Sequence, residues 1–163
     1  MKNQIVIEHA VMELESNFDK FTFRFEKALG ILTPAALQSL EAVPASMVRF
    51  LKSTYSENDL MLFNMLVQGD LLQKADSRKM KQYQIGNPHI MRRMIEIDAG
   101  AGLYAPLHLL VYEKPTGKVV VEYDLPSSLF AQFKNGDILS DSIIIENKLI
   151  KLIQIADEKA GEN

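Results

Sequence analysis

The 163-residue chain contains no cysteine. That absence removes disulfides, thiol nucleophiles, zinc ribbons and iron–sulfur clusters together, and it suits a reducing compartment. No apolar run approaches the ~20 residues that a membrane-spanning helix needs. The opening MKNQIVIEHAVMELES carries charges too early and too often for a secretory signal. A soluble, cytoplasmic protein is the expectation. An excess of either charge is missing too, with 18 Lys and Arg against 21 Asp and Glu and a net charge of -3. Such a chain presents no basic field to a nucleic-acid backbone. The densest basic group, SRKMK at 77–81, is short and reads as a solvated loop or edge strand. Neither a nucleic acid nor a membrane is therefore expected as a partner.

Several chemical signatures are also absent. There is no phosphate-loop Gly-Lys-Ser/Thr and no serine in a nucleophile elbow. The glycines of DAGAG (98–102) follow a helix pattern, whereas a dinucleotide fingerprint needs them between a strand and a helix. They read as helix termination. His9, His89 and His108 are isolated, with no pair at i, i+4, so no metal ligands and no catalytic set are assigned.

What is present is an ordinary globular composition, 47% apolar and 24% charged, at a length that fits one domain over 1–163. Residues 4–14 read as a first strand, followed by a capping-box-like Ser16 and Asp19. Phe18, Phe21, Phe25, Ala28 and Leu29 recur at helical spacing, a stripe expected in the core, and Gly30 ends that helix. Thr33-Pro34 and Pro44 start a helical pair over about 35–58. Residues 59–76 read as strand with a bulge or turn at Gly69-Asp70, and 78–86 alternate as a strand. Two β-branched runs flanking Pro-Thr-Gly over 107–126 form a β-hairpin signature. A long C-terminal helix over 137–160 is apolar on more than one stripe, which predicts cover on more than one side.

QIGNPHIMRRM, Gln84 to Met94, runs from a strand straight into a helix with Asn87 as N-cap and Pro88 as first helical residue. The buried face of that helix is read as Ile90, Met91, Met94 and Ile95. A strand delivering a helix N-terminus can form an anion site. Asn87, the amides near His89, and Arg92 or Arg93 would then meet an anionic or polar group. His89 in the first turn should titrate low. On the hairpin, His108 and Tyr112 share one face, as do Glu122 and Asp124. Paired carboxylates on an exposed sheet face are usually only solvated.

GNPHIMRRMIEIDAGAGLYAPLHLLVYE followed by GKVVVEYDLP resembles the domain of unknown function 302 family. The matching pieces are Asn87-Pro88, Gly102-Leu103, Ala105-Pro106, Leu110 to Glu113, Gly117-Lys118 and Asp124 to Pro126. The resemblance implies one α+β domain, a mixed, antiparallel-rich sheet with helices packed on one face, often as a dimer. The segment 35–58 looks like an insertion longer than is usual for the family. Many members have cysteine where this chain has Gly86 and Leu107, so thiol chemistry does not transfer. The family supplies no catalytic residues and no known cofactor.

The reading is a non-enzymatic homodimer binding a small anionic or polar ligand through Asn87, His89, Arg92, Arg93 and Tyr112. One alternative is a haem-binding, redox or acid–base protein using His89 or the His108, Tyr112 and Glu113 face. A purely structural assembly module is the other.

Overall fold

The computed structural model describes residues 4–31, 59–72 and 78–158. Within them six strands form one sheet: β1 (His9–Leu14), β2 (Gly30–Ile31), β3 (Met61–Leu66), β4 (Met80–Gly86), β5 (Leu107–Glu113) and β6 (Val119–Asp124). The spatial order is β1-β6-β5-β4-β3-β2, antiparallel throughout except for the parallel β2–β3 pair. Four α-helices among the described residues accompany it: α1 (Phe18–Ala28), α2 (Pro88–Ile97), α3 (Pro126–Phe130) and α4 (Gly136–Glu158). The expected single α+β domain with a mixed, antiparallel-rich sheet is what forms.

Strand alternation divides the sheet into two sides. Leu14, Tyr83, Ile85, Leu107, Leu109, Val111, Val119, Val121 and Tyr123 face the helices and join one core cluster with Phe21, Phe25, Met94, Phe130 and the buried stripe of α4. Phe21 stacks on Phe25 with ring centroids 5.4 Å apart, and Phe25 meets Tyr83 edge-on at the same distance. The aromatic stripe is core, as its helical spacing predicts. Across the registers, His9, Val11, Glu13, Val120, Glu122, Asp124, His108, Leu110, Tyr112, Gln82 and Gln84 belong to the opposite side.

Several boundaries differ from the sequence expectation, each for a tertiary reason. The first strand is His9–Leu14, not 4–14, because β6 pairs only with those six residues. The cap of α1 is Asn17, whose side chain accepts from the Lys20 amide, while the Ser16 hydroxyl donates to Asp157 at 2.6 Å. Leu29 closes that helix and Gly30 already belongs to β2. The predicted strand over 59–76 is a six-residue strand with a register shift between Leu62 and Asn64, followed by a 3₁₀ turn at Gln68–Leu71. On α2 only Pro88, Ile90 and Met94 are buried, and Ile95 is exposed. Buried residues of α4 keep to one face, leaving Leu139 and Ile143 exposed on one flank and Ile144 on the other. The predicted helical pair at 35–58 and the end of the C-terminal helix past 158 lie outside the described residues.

The hairpin forms as read. Gly117 sits at φ +82 in its turn, a conformation that disfavours residues with a Cβ. The DAGAG stretch does terminate α2, and Asp98 then caps a 3₁₀ turn, Ala99–Tyr104, through the Gly100 amide.

Candidate functional site

Two polar regions compete for the role of functional site. The first is the corner after β4. Asn87 is 6% exposed, and its Oδ1 accepts from the amides of His89 at 3.0 Å and Ile90 at 3.1 Å. Its Nδ2 donates to the Asp59 carbonyl at 2.8 Å, and the Met91 amide donates to the Asn87 carbonyl. Proline at the first helical position has no N–H. The His89 and Ile90 donors that a helix start normally leaves free are therefore used within the chain.

The arginines one turn on are engaged as well. Arg93 forms a two-point pair with Asp141 of α4, Nε at 3.1 Å and Nη2 at 2.5 Å, across a carboxylate that is itself buried. Arg92 Nε donates to Glu96 at 2.6 Å on the helix surface. Between α2 and α4 a groove is lined by Arg93, Glu96, Ile97, Asp137, Ser140 and Asp141. His89 does titrate low, first because of partial burial and then because Arg93 and Arg92 repel a second positive charge.

Tyr112 is not part of this corner. It pairs with Met80 at the start of β4, whereas Asn87 follows Gly86 at the end. Six residues of strand separate the two ends, roughly 20 Å at 3.3 Å per residue. The five residues expected to bind together therefore fall into two groups. The alternative face also divides, since Glu113 pairs with Val119 on the helix-covered side while His108 and Tyr112 lie on the other.

The second region is that other side of the sheet, over β1, β6 and β5. Here Asp124 Oδ1 meets His9 Nδ1 at 2.8 Å, His9 Nε2 lies 3.4 Å from Glu122 Oε2, and the Tyr112 hydroxyl donates to Glu122 Oε1 at 2.6 Å. One hydrogen-bonded chain thus crosses three strands: Asp124, His9, Glu122, Tyr112. Its ends differ in access: the His9 and Asp124 side chains are each 50% exposed, whereas Glu122 and Tyr112 are part-buried. Hydrogen bonding to Asp124 raises the His9 pKa; desolvation works against it, and the longer contact to Glu122 adds a smaller rise. The bond to Glu122 holds the Tyr112 phenol protonated, pushing its pKa up. Beside the chain, Gln84 Nε2 and His108 Nε2 lie 3.0 Å apart, which extends the polar surface onto β4.

Glu122, Asp124 and Tyr112 were visible in the sequence as residues of one hairpin. His9 was not grouped with them, because its contacts span 113 and 115 positions of sequence. The signal that could have found it is the β1 pattern, which places His9, Val11 and Glu13 on one side.

Among the described residues, a sheet covered by helices on one side and bearing a polar, cross-linked surface on the other defines an α+β domain. The chain belongs to the domain of unknown function DUF302 family, whose model matches residues 38–156. It is similar in fold to the crystal structure of an uncharacterized conserved protein DUF302 from Bacillus stearothermophilus. That match has a TM-score of 0.64 at 15% identity and covers 90% of this chain and 95% of the other. No curated protein matches the sequence. Among the described residues no helix is long and apolar enough to cross a membrane.

Proposed function

We propose that this protein is a non-enzymatic binding domain, cytoplasmic and homodimeric, that takes a small polar ligand on the side of its sheet opposite α1 and α4. The observation that supports this reading is the Asp124–His9–Glu122–Tyr112 chain, held on three adjacent strands and half open to water. Strands fix such groups more firmly than loops do, so their geometry is set before a ligand arrives. Carboxylate oxygens retain acceptor capacity beyond one hydrogen bond. The surface therefore suits a ligand rich in donors, such as an amine, amide or polyol. An anion at the Asn87 corner would have to displace hydrogen bonds already made. Acid–base catalysis calls for desolvated groups with well-separated pKa values, and the His9 and Asp124 side chains are half exposed.

The test is an amide and side-chain NMR map of the full chain against amines, amides, polyols and phosphate. Donor-rich ligands should shift resonances at 9–13, 108–112 and 120–124, and His9→Ala or Tyr112→Phe should weaken the response. Shifts confined to 87–93, or responses to phosphate alone, would return the site to the corner.

A further inference from the structure

His9 stands between two carboxylates with one ring nitrogen toward each. Nδ1 is 2.8 Å from Asp124 Oδ1, and Nε2 is 3.4 Å from Glu122 Oε2. Both carboxylates belong to β6, which among the described residues is the only strand paired with β1. On β5, Tyr112 acts through Glu122, whose Oε1 accepts its hydroxyl at 2.6 Å, and His108 is engaged with Gln84 of β4 at 3.0 Å. Glu13, the other ionisable residue that β1 places on this side, is paired with Lys114 at 3.1 Å. α3 reaches the start of the strand through Ser128, whose hydroxyl does not titrate and accepts from the Glu8 amide. α4 meets the residues past its far end, where Asp157 accepts from the Ser16 amide.

One imidazole can donate to two carboxylates only when it is charged, because the neutral ring has a single N–H. The shorter contact marks Nδ1 as the nitrogen that keeps its proton, so deprotonation falls on Nε2. Nε2 then becomes an acceptor beside Glu122 Oε2, a second acceptor, with no hydrogen between them. Tyr112 holds Oε1 in both states, so the carboxylate stays in place while Oε2 is released. Two acceptors side by side on neighbouring strands match one group that offers two N–H donors. In the charged state the ring places its own N–H where such a donor would sit.

We propose that His9 is a proton-operated latch on the ligand surface: the imidazolium closes on Glu122, and the neutral ring opens a two-acceptor site, His9 Nε2 and Glu122 Oε2, for a small guanidinium or amidinium ligand. This rests on the binding reading above and supplies its regulation. Below the His9 midpoint, one proton passes from the ring to water for each ligand bound. The bond to Asp124 raises that midpoint above 6.5, so the latch stays closed to a higher pH than a free histidine would hold it.

The test uses methylguanidinium chloride, which keeps its charge and its N–H donors throughout. It is titrated into the isotopically labelled full chain from about pH 5.5 to 8.5, with the His9 ring resonances followed in the same samples. Apparent affinity should rise about tenfold per pH unit and level off at the measured His9 midpoint, because one proton is exchanged. His9→Gln should remove that slope, and tetramethylammonium, a cation without N–H donors, should leave the amides of 120–124 unmoved. Equal affinity across the range, or a slope that survives His9→Gln, overturns the latch and leaves the binding reading standing. A tetramethylammonium response of the same size would make the effect one of charge alone and overturns the latch as well. Silence toward methylguanidinium at every pH overturns the latch, and if amides and polyols are silent too, the binding reading falls with it.

Discussion

The Asn87 corner and the β1–β6–β5 surface are built from the same kinds of residue, and they differ in what is left over. At the corner, one buried asparagine accepts twice and donates once, and an arginine fork closes on a buried carboxylate. Every strong group there has an internal partner, so the corner holds β4, α2 and α4 in place. On the open surface the groups are also joined, but exposed atoms keep unused acceptor capacity. A polar cluster that is buried and saturated is architecture. One that is linked yet half exposed can still exchange a partner.

The largest effect expected from this contrast is at Asn87. Asn87→Ala removes the cap, about 1 kcal/mol, and strands the Asp59 carbonyl without its donor, for a total loss of about 2–3 kcal/mol. Asn87→Asp separates the two roles. It keeps the acceptor for the His89 and Ile90 amides, loses the donor to Asp59 and sets a carboxylate oxygen against that carbonyl in its place. Chemical denaturation of both variants should therefore place Asn87→Asp between the native chain and Asn87→Ala. Equal losses would mean that the clash of the carboxylate with the Asp59 carbonyl outweighs the retained cap.

Next in size is Asp141→Ala, which leaves Arg93 without its two-point acceptor. Asp141 is 7% exposed and the Arg93 side chain is 55% exposed, so water can take over most of the arginine's hydrogen bonding. A loss of about 1–2 kcal/mol is expected, below that of a fully buried pair. A loss above the Asn87→Ala value would show that the α2–α4 contact, not the cap, holds the corner.

How much of this was legible in the sequence follows the range of the interactions. Asn87-Pro88 and Pro-Thr-Gly announce their structures because capping and turn geometry are decided within a few residues. The phenylalanine stripe was readable for the same reason, since helical period alone puts Phe18, Phe21 and Phe25 on one side. Ser16 was misread as a cap because a residue 141 positions away, Asp157, takes its hydroxyl. Ile95 was expected to be buried because period assigns a stripe but not its width, which the neighbouring helix sets. The open surface was half legible: the hairpin residues were grouped, and His9 was missed because the first and last strands of the sheet pair with one another.

Tyr112→Phe should test the other side of the contrast. Its hydroxyl donates to Glu122 on a half-buried surface where water can replace it, so stability should change by no more than about 0.5 kcal/mol. The same substitution should weaken any ligand response across β5 and β6. A loss comparable to that of Asn87→Ala would make the chain architectural, like the corner.

The smallest effect is the most specific, because the two regions shift their histidines in opposite directions. His89 at the corner is held below the ordinary value of 6.5 by burial and then by Arg93 and Arg92. His9 on the open surface is held above it, chiefly by its bond to Asp124 and further by Glu122. The linkage signs follow from these directions. For His9 the folded chain binds the proton more tightly, so its contribution is complete below 6.5 and is lost as pH rises through the raised folded value. For His89 the unfolded chain binds more tightly, so stability falls as pH drops through 6.5 toward the lowered folded value. A two-dimensional NMR titration of the imidazole resonances should give midpoints on either side of 6.5. In Asp124→Asn the His9 midpoint should move down while that of His89 stays in place. Coincident midpoints in the native chain would mean that the carboxylates do not hold His9 in solution. The open surface would then be loose side chains rather than a linked chain, and the contrast with the corner would be one of order rather than of free bonding capacity.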